Sequence, residues 1–119
     1  MQVVDFSIQE LAQMRRFFDS GSTISYQFRK TQLLKLRELI KQHEEAIFKA
    51  LNQDLKKGPE ESYATETGLV IAEINYALKR LKKWMRPKRV ATNLLNFPAT
   101  SRIYRDPLGV VLVIGSWNY

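Results

Sequence analysis

The last thirteen residues, Pro107 to Tyr119, carry no charge, and within them Val110–Ile114 is an unbroken aliphatic run without polar alternation. Such a run is typical of a parallel strand buried on both faces, because a sheet face open to water would show a polar residue at every second position. A strand of this kind needs sheet neighbours and covering helices. Nothing after Ile114 supplies them, since only five residues follow. Chain ends are usually polar and frayed, so the expectation is of a chain cut just beyond its own core strand.

The 119 residues allow one small domain with a real core. Apolar content of 45% and charged content of 26% are ordinary for a soluble globular protein and exclude a collagen or a disordered tail. The absence of Cys excludes a disulfide framework, a Cys zinc site and a cysteine nucleophile within this chain. A single His excludes a multi-His site, and no metal is expected. Met1 to Asp5 shows no basic segment leading into an apolar run, so no signal peptide is visible. No stretch reaches the roughly 18 apolar residues of a membrane helix. A cytoplasmic location is expected.

Three helices are predicted. The first runs from about Ile8 to Asp19: Ser7 and Glu10 have capping-box spacing, Leu11, Met14 and Phe18 share a face, and Gly21 follows where a helix end favours a left-handed residue. The second runs from about Ser25 to Leu55 as one long helix, with Leu33, Leu36, Ile40, Ile47 and Leu51 on a stripe and Gly58-Pro59 as its stop. The third runs from about Glu60 to Met85, with Val70, Ile74, Ala77, Leu81 and Trp84 in the seam rhythm of an antiparallel helical hairpin. Acidic residues near its start and basic ones near its end suit the helix dipole. From Val90 to Pro98 the chain reads as a connection. Ala99–Arg105 alternates like a half-exposed strand, and Asp106-Pro107-Leu108-Gly109 is a turn signal. The predicted fold is therefore mostly α: a short N-terminal helix, a long antiparallel helical hairpin, then two β-strands.

Chemistry is concentrated after Ile114. Ligands in α/β sheets bind at the carboxyl ends of strands, and Asn118, at such an end, can present its amide NH₂ as a donor that stabilises an oxyanion. The competing reading is that Asn118 caps a turn.

The segment PLGVVLVIGSWNY resembles the entry to the cofactor domain of the aldehyde dehydrogenases, especially the class 3 and fatty-aldehyde branch. There a P-x-G-V-V strand leads to W-N-[FY]. Upstream, FRKTQLLKLRELIKQHEEAIFKALNQDLKK and ETGLVIAEINYALKRLKKW resemble the family's second and third helices, and SRIYRDPLG its hairpin strand. The likeness runs from about Phe6 to Tyr119. It implies an α/β enzyme fold made of a helical segment (1–89), a connection and hairpin strand of the oligomerisation region (90–106), and the first strand and turn of a truncated cofactor-binding domain (107–119). Asn118 matches the family's oxyanion-hole Asn. Ile114, Gly115, Ser116 and Trp117 match the strand-end segment that lines the NAD or NADP site. Ser116 departs from the many relatives with Pro at that position.

The family reaction also needs a Cys nucleophile, a Glu general base and a Gly-rich phosphate turn. The chain has no Cys, and Gly109 and Gly115 are separated by the strand itself. The resemblance thus implies the N-terminal part of an NAD(P)-dependent enzyme that oxidises aldehydes to carboxylic acids. The 119 residues alone are expected to be inactive, to bind no cofactor and to form a homo-oligomer in which another copy covers Val110–Ile114.

Lys79 to Arg89 holds seven basic residues in eleven and includes Trp84. It supports an alternative, a non-enzymatic basic helical module that binds an acidic partner or nucleic acid. The plainer reading is a helix end and a solvated linker, with no nucleic acid expected. His43, on a charged helix, reads as solvent-facing. Glu60, Glu61, Glu66 and Glu73 read as helix-start charge, Tyr63, Tyr76 and Trp84 as packing residues, and Phe6, Phe17, Phe18 and Phe28 as core between the first two helices.

Overall fold

The computed structural model describes residues 8–116. The chain divides into two compact units: Tyr26–Arg86 forms one, and Met1–Ser25 with Pro87–Tyr119 forms the other.

The first unit is helical: α2 (Tyr26–Gln42), α3 (Glu44–Leu55), α4 (Pro59–Ser62), a π turn (Tyr63–Thr67) and α5 (Gly68–Trp84). The single long helix expected over Ser25–Leu55 is two helices. His43, at φ −105° and ψ 12°, tilts its peptide out of the helical range. The ladder still continues across it, from the His43 amide to the Leu39 carbonyl and from the Ile47 amide to the His43 carbonyl, each 3.0 Å. The joint is therefore a bend in one path. At the far end Lys56 is left-handed (φ 60°), and its amide caps the Asn52 carbonyl. Gly58 then serves as N-cap and Pro59 as the first residue of α4, the position where a missing amide costs nothing.

The expected antiparallel hairpin is realised by α2 and α5. Arg37 donates to Asn75 Oδ1 at 2.7 Å, and Thr67 donates to Glu44 Oε1 at 3.2 Å. Partner numbers fall from Asn75 on α5 to Thr67 at the end of the π turn as they rise from Arg37 on α2 to Glu44 on α3, so the helices run in opposite directions. Of the predicted seam, Ile74 and Leu81 are buried, at 5% and 8% exposure, while Val70 and Trp84 at its ends stay half exposed.

The helix predicted over Glu60–Met85 contains the π turn. Ser62 and Thr67 are both buried. Five residues apart, they would point about 140° away from each other on an α-helix of 3.6 residues per turn. A π turn closes i→i+5 bonds and brings such a pair to one side. The Gly68 amide makes one such bond to the Tyr63 carbonyl. A Cβ on Gly68 would sit 2.6 Å from that oxygen, so the close approach requires glycine.

In the second unit, α1 spans Ile8–Asp19, the bounds expected from sequence. Gly21 follows at φ 75°, and its amide bonds the Phe18 carbonyl at 2.9 Å. Ser7, of the expected capping box, and Phe6 lie outside the described residues. Strands β1 (Lys88–Val90) and β2 (Ser101–Ile103) pair antiparallel, with Arg89 opposite Arg102. The link predicted as a connection carries a one-turn helix at Leu94–Asn96, capped by the Asn93 side chain on the Leu95 amide. Thr92 ties the base of the link, accepting from the Ser101 amide at 2.9 Å.

Two expectations need correction here. Phe17, expected in a core, is half exposed, and no residue of α1 is buried. Phe18 lies instead against the backbone at Gly109, 3.7 Å from the position a Cβ would take there. Val110–Ile114, expected as a strand buried on both faces, has no ladder partner among the described residues and is exposed throughout. A strand exists only through the backbone groups of its neighbours, and none among the described residues pairs with this one.

Candidate site at the strand-end segment

Three of the five predicted site residues are described, and each can be placed. The turn expected at Asp106–Gly109 is not formed: the chain runs on without regular structure after β2 and bends at Val110, next to Gly109 at φ 106°, where a side chain would be strained. The apolar run then leads through Leu112, 83% exposed, and Ile114, 78% exposed, to Gly115 and Ser116. Around Gly115 nothing stands within 4 Å of where a Cβ would be. Among the described residues no hydrogen bond or ion pair engages Ile114, Gly115 or Ser116. Trp117 and Asn118 lie outside the described residues.

What this segment offers chemically is one open wall. Ile114 presents aliphatic surface, and Gly115 lets a flat ligand reach the backbone without meeting a side chain. Neither supplies a nucleophile, a base or a cradle for phosphate.

Polar chemistry in the chain lies elsewhere. Lys57 pairs with Glu66 at 2.5 Å and donates to Thr65 Oγ1 at 3.2 Å, with its own side chain 11% exposed. Asn52 Nδ2 donates to the Lys57 carbonyl at 3.0 Å. These bonds tie α3 to the π turn, and with Thr67–Glu44 and Arg37–Asn75 they fix how the helices pair. They form a set of struts with no nucleophile among them. Glu66, predicted as helix-start charge, is thus a partner of Lys57, and His43 is exposed as expected. The sequence reasoning missed this set, whose one available signal was a Lys-Gly-Pro stop followed by acidic and hydroxyl residues on the next helix.

Among the described residues no group of three His, Cys, Asp or Glu is placed to hold a metal. No helix among them is long and apolar enough to cross a membrane.

Comparison with known proteins finds relatives of the chain over most of its length. The model described as "Aldehyde dehydrogenase family" matches residues 8–119. Aldehyde dehydrogenase family 3 member H1 of Arabidopsis thaliana is 47% identical over 109 residues, covering 92% of this chain and 22% of that protein. The 4,4'-diaponeurosporen-aldehyde dehydrogenase of Staphylococcus aureus is 42% identical over 111 residues, covering 93% of this chain and 24% of its own length. A solved structure described as the substrate-bound state of Staphylococcus aureus AldH superposes with a TM-score of 0.81 at 39% identity, over 90% of this chain and 23% of that one. The chain therefore spans under a quarter of the length of these relatives.

Proposed function

The chain belongs to the aldehyde dehydrogenase family, and from that membership we propose that it forms the N-terminal part of an NAD(P)-dependent enzyme that oxidises aldehydes to carboxylic acids. The observation that carries the reading is the match over residues 8–119, which runs through the helical unit, the hairpin and the strand-end segment together. The basic helical module is the disfavoured alternative, since relatives 47%, 42% and 41% identical over the matched residues are named as aldehyde dehydrogenases. One of them, from Canis lupus familiaris, is named as dimeric and NADP-preferring.

In this proposal Asn118 donates its side-chain amide to the aldehyde oxygen as a thiolate from beyond this chain adds to the carbonyl carbon. The donor is fixed before charge develops, so it favours the tetrahedral oxyanion over the planar carbonyl. Ile114 and Gly115 form the wall against which the dinucleotide lies, with Ser116 and Trp117 continuing it. NAD(P), when bound, supplies the hydride acceptor. The chain's own part is to bind and orient at the strand end and to hold one hydrogen-bond donor at the reacting oxygen. The 119 residues alone lack the nucleophile and are inactive on this reading.

The test is made on the natural protein. Its intact mass should exceed 13.9 kDa several-fold, and it should reduce NAD(P) only when an aldehyde is present. Asn118→Ala should lower kcat by about 10²–10³, the usual cost of one oxyanion donor. No aldehyde-dependent reduction, or an Asn118→Ala variant with unchanged kcat, would overturn the proposal.

A further inference from the structure

The seven basic residues Lys79, Arg80, Lys82, Lys83, Arg86, Lys88 and Arg89 equal the chain's whole charge excess of +7. Removing them from the 19 Lys and Arg leaves twelve, matched by twelve Asp and Glu. All seven are exposed. None of them is paired with a carboxylate among the described residues. A helix end gains from one or two cations in its last turn; that effect does not account for a run of this length.

On α5 these charges have a definite geometry. At about 100° per residue, Tyr76, Lys79, Arg80 and Lys83 fall within an arc of roughly 100°. The buried Ile74 and Leu81 lie on the opposite side. Arg80 stands over the Tyr76 ring, its Cζ 5.4 Å from the centroid. Trp84 packs on the same ring at 5.8 Å, tilted by 57°. The outward face of α5 is thus a cationic surface with two half-exposed amphipathic rings set into it.

We propose that this face of α5 docks on an anionic phospholipid surface. Lys and Arg on stems that reach outward meet headgroup phosphates, and a guanidinium steadied over an aromatic ring presents its donor fork to a phosphate without losing much freedom. Tyr and Trp rings favour the headgroup level, where one end is apolar and the other wet. The apolar side of α5 is buried within its own unit, so the helix does not sink into the acyl region, and the attachment is electrostatic and salt-sensitive. Two other partners fit less well. Single-stranded nucleic acid needs open ring faces for its bases, and here Tyr76, Arg80 and Trp84 are engaged with one another. A bound peptide needs a groove or a free strand edge, and the outward side of a helix has neither. The inference is independent of the enzymatic reading above.

The experiment is co-sedimentation of the full chain with phosphatidylcholine vesicles, with and without about one-third phosphatidylserine. Binding is expected only to the anionic vesicles, with loss on raising the salt. Lys79→Glu with Lys83→Glu should weaken it at least about tenfold, since each basic residue at such a surface is worth roughly a factor of five. Lys35→Glu with Lys41→Glu, exposed on α2 with the same change in net charge, should leave most of the binding. Equal binding to neutral vesicles, equal loss in the α2 control, or binding to polyuridylate without binding to vesicles would overturn the proposal.

Discussion

Two stretches of this chain are comparably apolar and meet opposite fates. The inward side of α5 is closed over by its own unit, and the run from Leu108 to Ile114 stands in solvent. The difference lies in the backbone. A helix satisfies its amides and carbonyls within itself, so α5 needs from its neighbours only side chains, and α2 provides them within the same unit. A strand owes its hydrogen bonds to other strands, which may come from anywhere in a chain or from another copy. Apolar sequence therefore becomes core early in a helical hairpin and only on assembly in a sheet.

Four substitutions probe this contrast. The largest effect belongs to Ile74→Ala, which should destabilise the helical unit by about 3 kcal/mol through lost burial and the space left behind. Thermal melting followed by far-UV circular dichroism reads it. If Leu112→Ala costs as much, the contrast is broken, because an exposed leucine would then be holding the fold. Gly68→Ala comes next, at about 2 kcal/mol, since its methyl would meet the Tyr63 carbonyl. An unchanged melting temperature would show that the π turn relaxes freely. The smallest effect on stability is that of Leu112→Asp, within about 0.5 kcal/mol. The same change should reduce self-association in sedimentation velocity, because an exposed apolar strand invites pairing. A parent chain that stays monomeric at every concentration would remove the second copy as the cover for Val110–Ile114.

What could be read from sequence follows the same division. The limits of α1 were legible because Gly21 acts on its own helix end, and the seam on α5 because Ile74 and Leu81 repeat at a period that points them one way. The bend at His43 was not, since histidine is no helix breaker and the cause is a backbone angle. The π turn was hidden because every one of its residues is compatible with an α-helix, and only Gly68 within the periodic pattern hinted at a tight approach. Val110–Ile114 announced a strand by composition, but pairing depends on residues far away. At the candidate site, turn chemistry alone left Asn118 between a cap and a catalytic donor. Family likeness is what favours the donor in the proposal above, and the described geometry shows only that Gly115 is open.

The π turn has a consequence for how this region tolerates change in length. Lys57 lies before it and Glu66 within it, and their ion pair bridges the turn between α3 and α5. Shortening the turn by one residue would rotate everything before it by about 100° relative to α5 and carry Ser62 out of the interior. Insertions and deletions pass lightly through most loops. Here the junction acts as a vernier: chain length is gauged to a single residue, and genes that differ by one codon between Lys57 and Gly68 would encode helices with different faces turned inward.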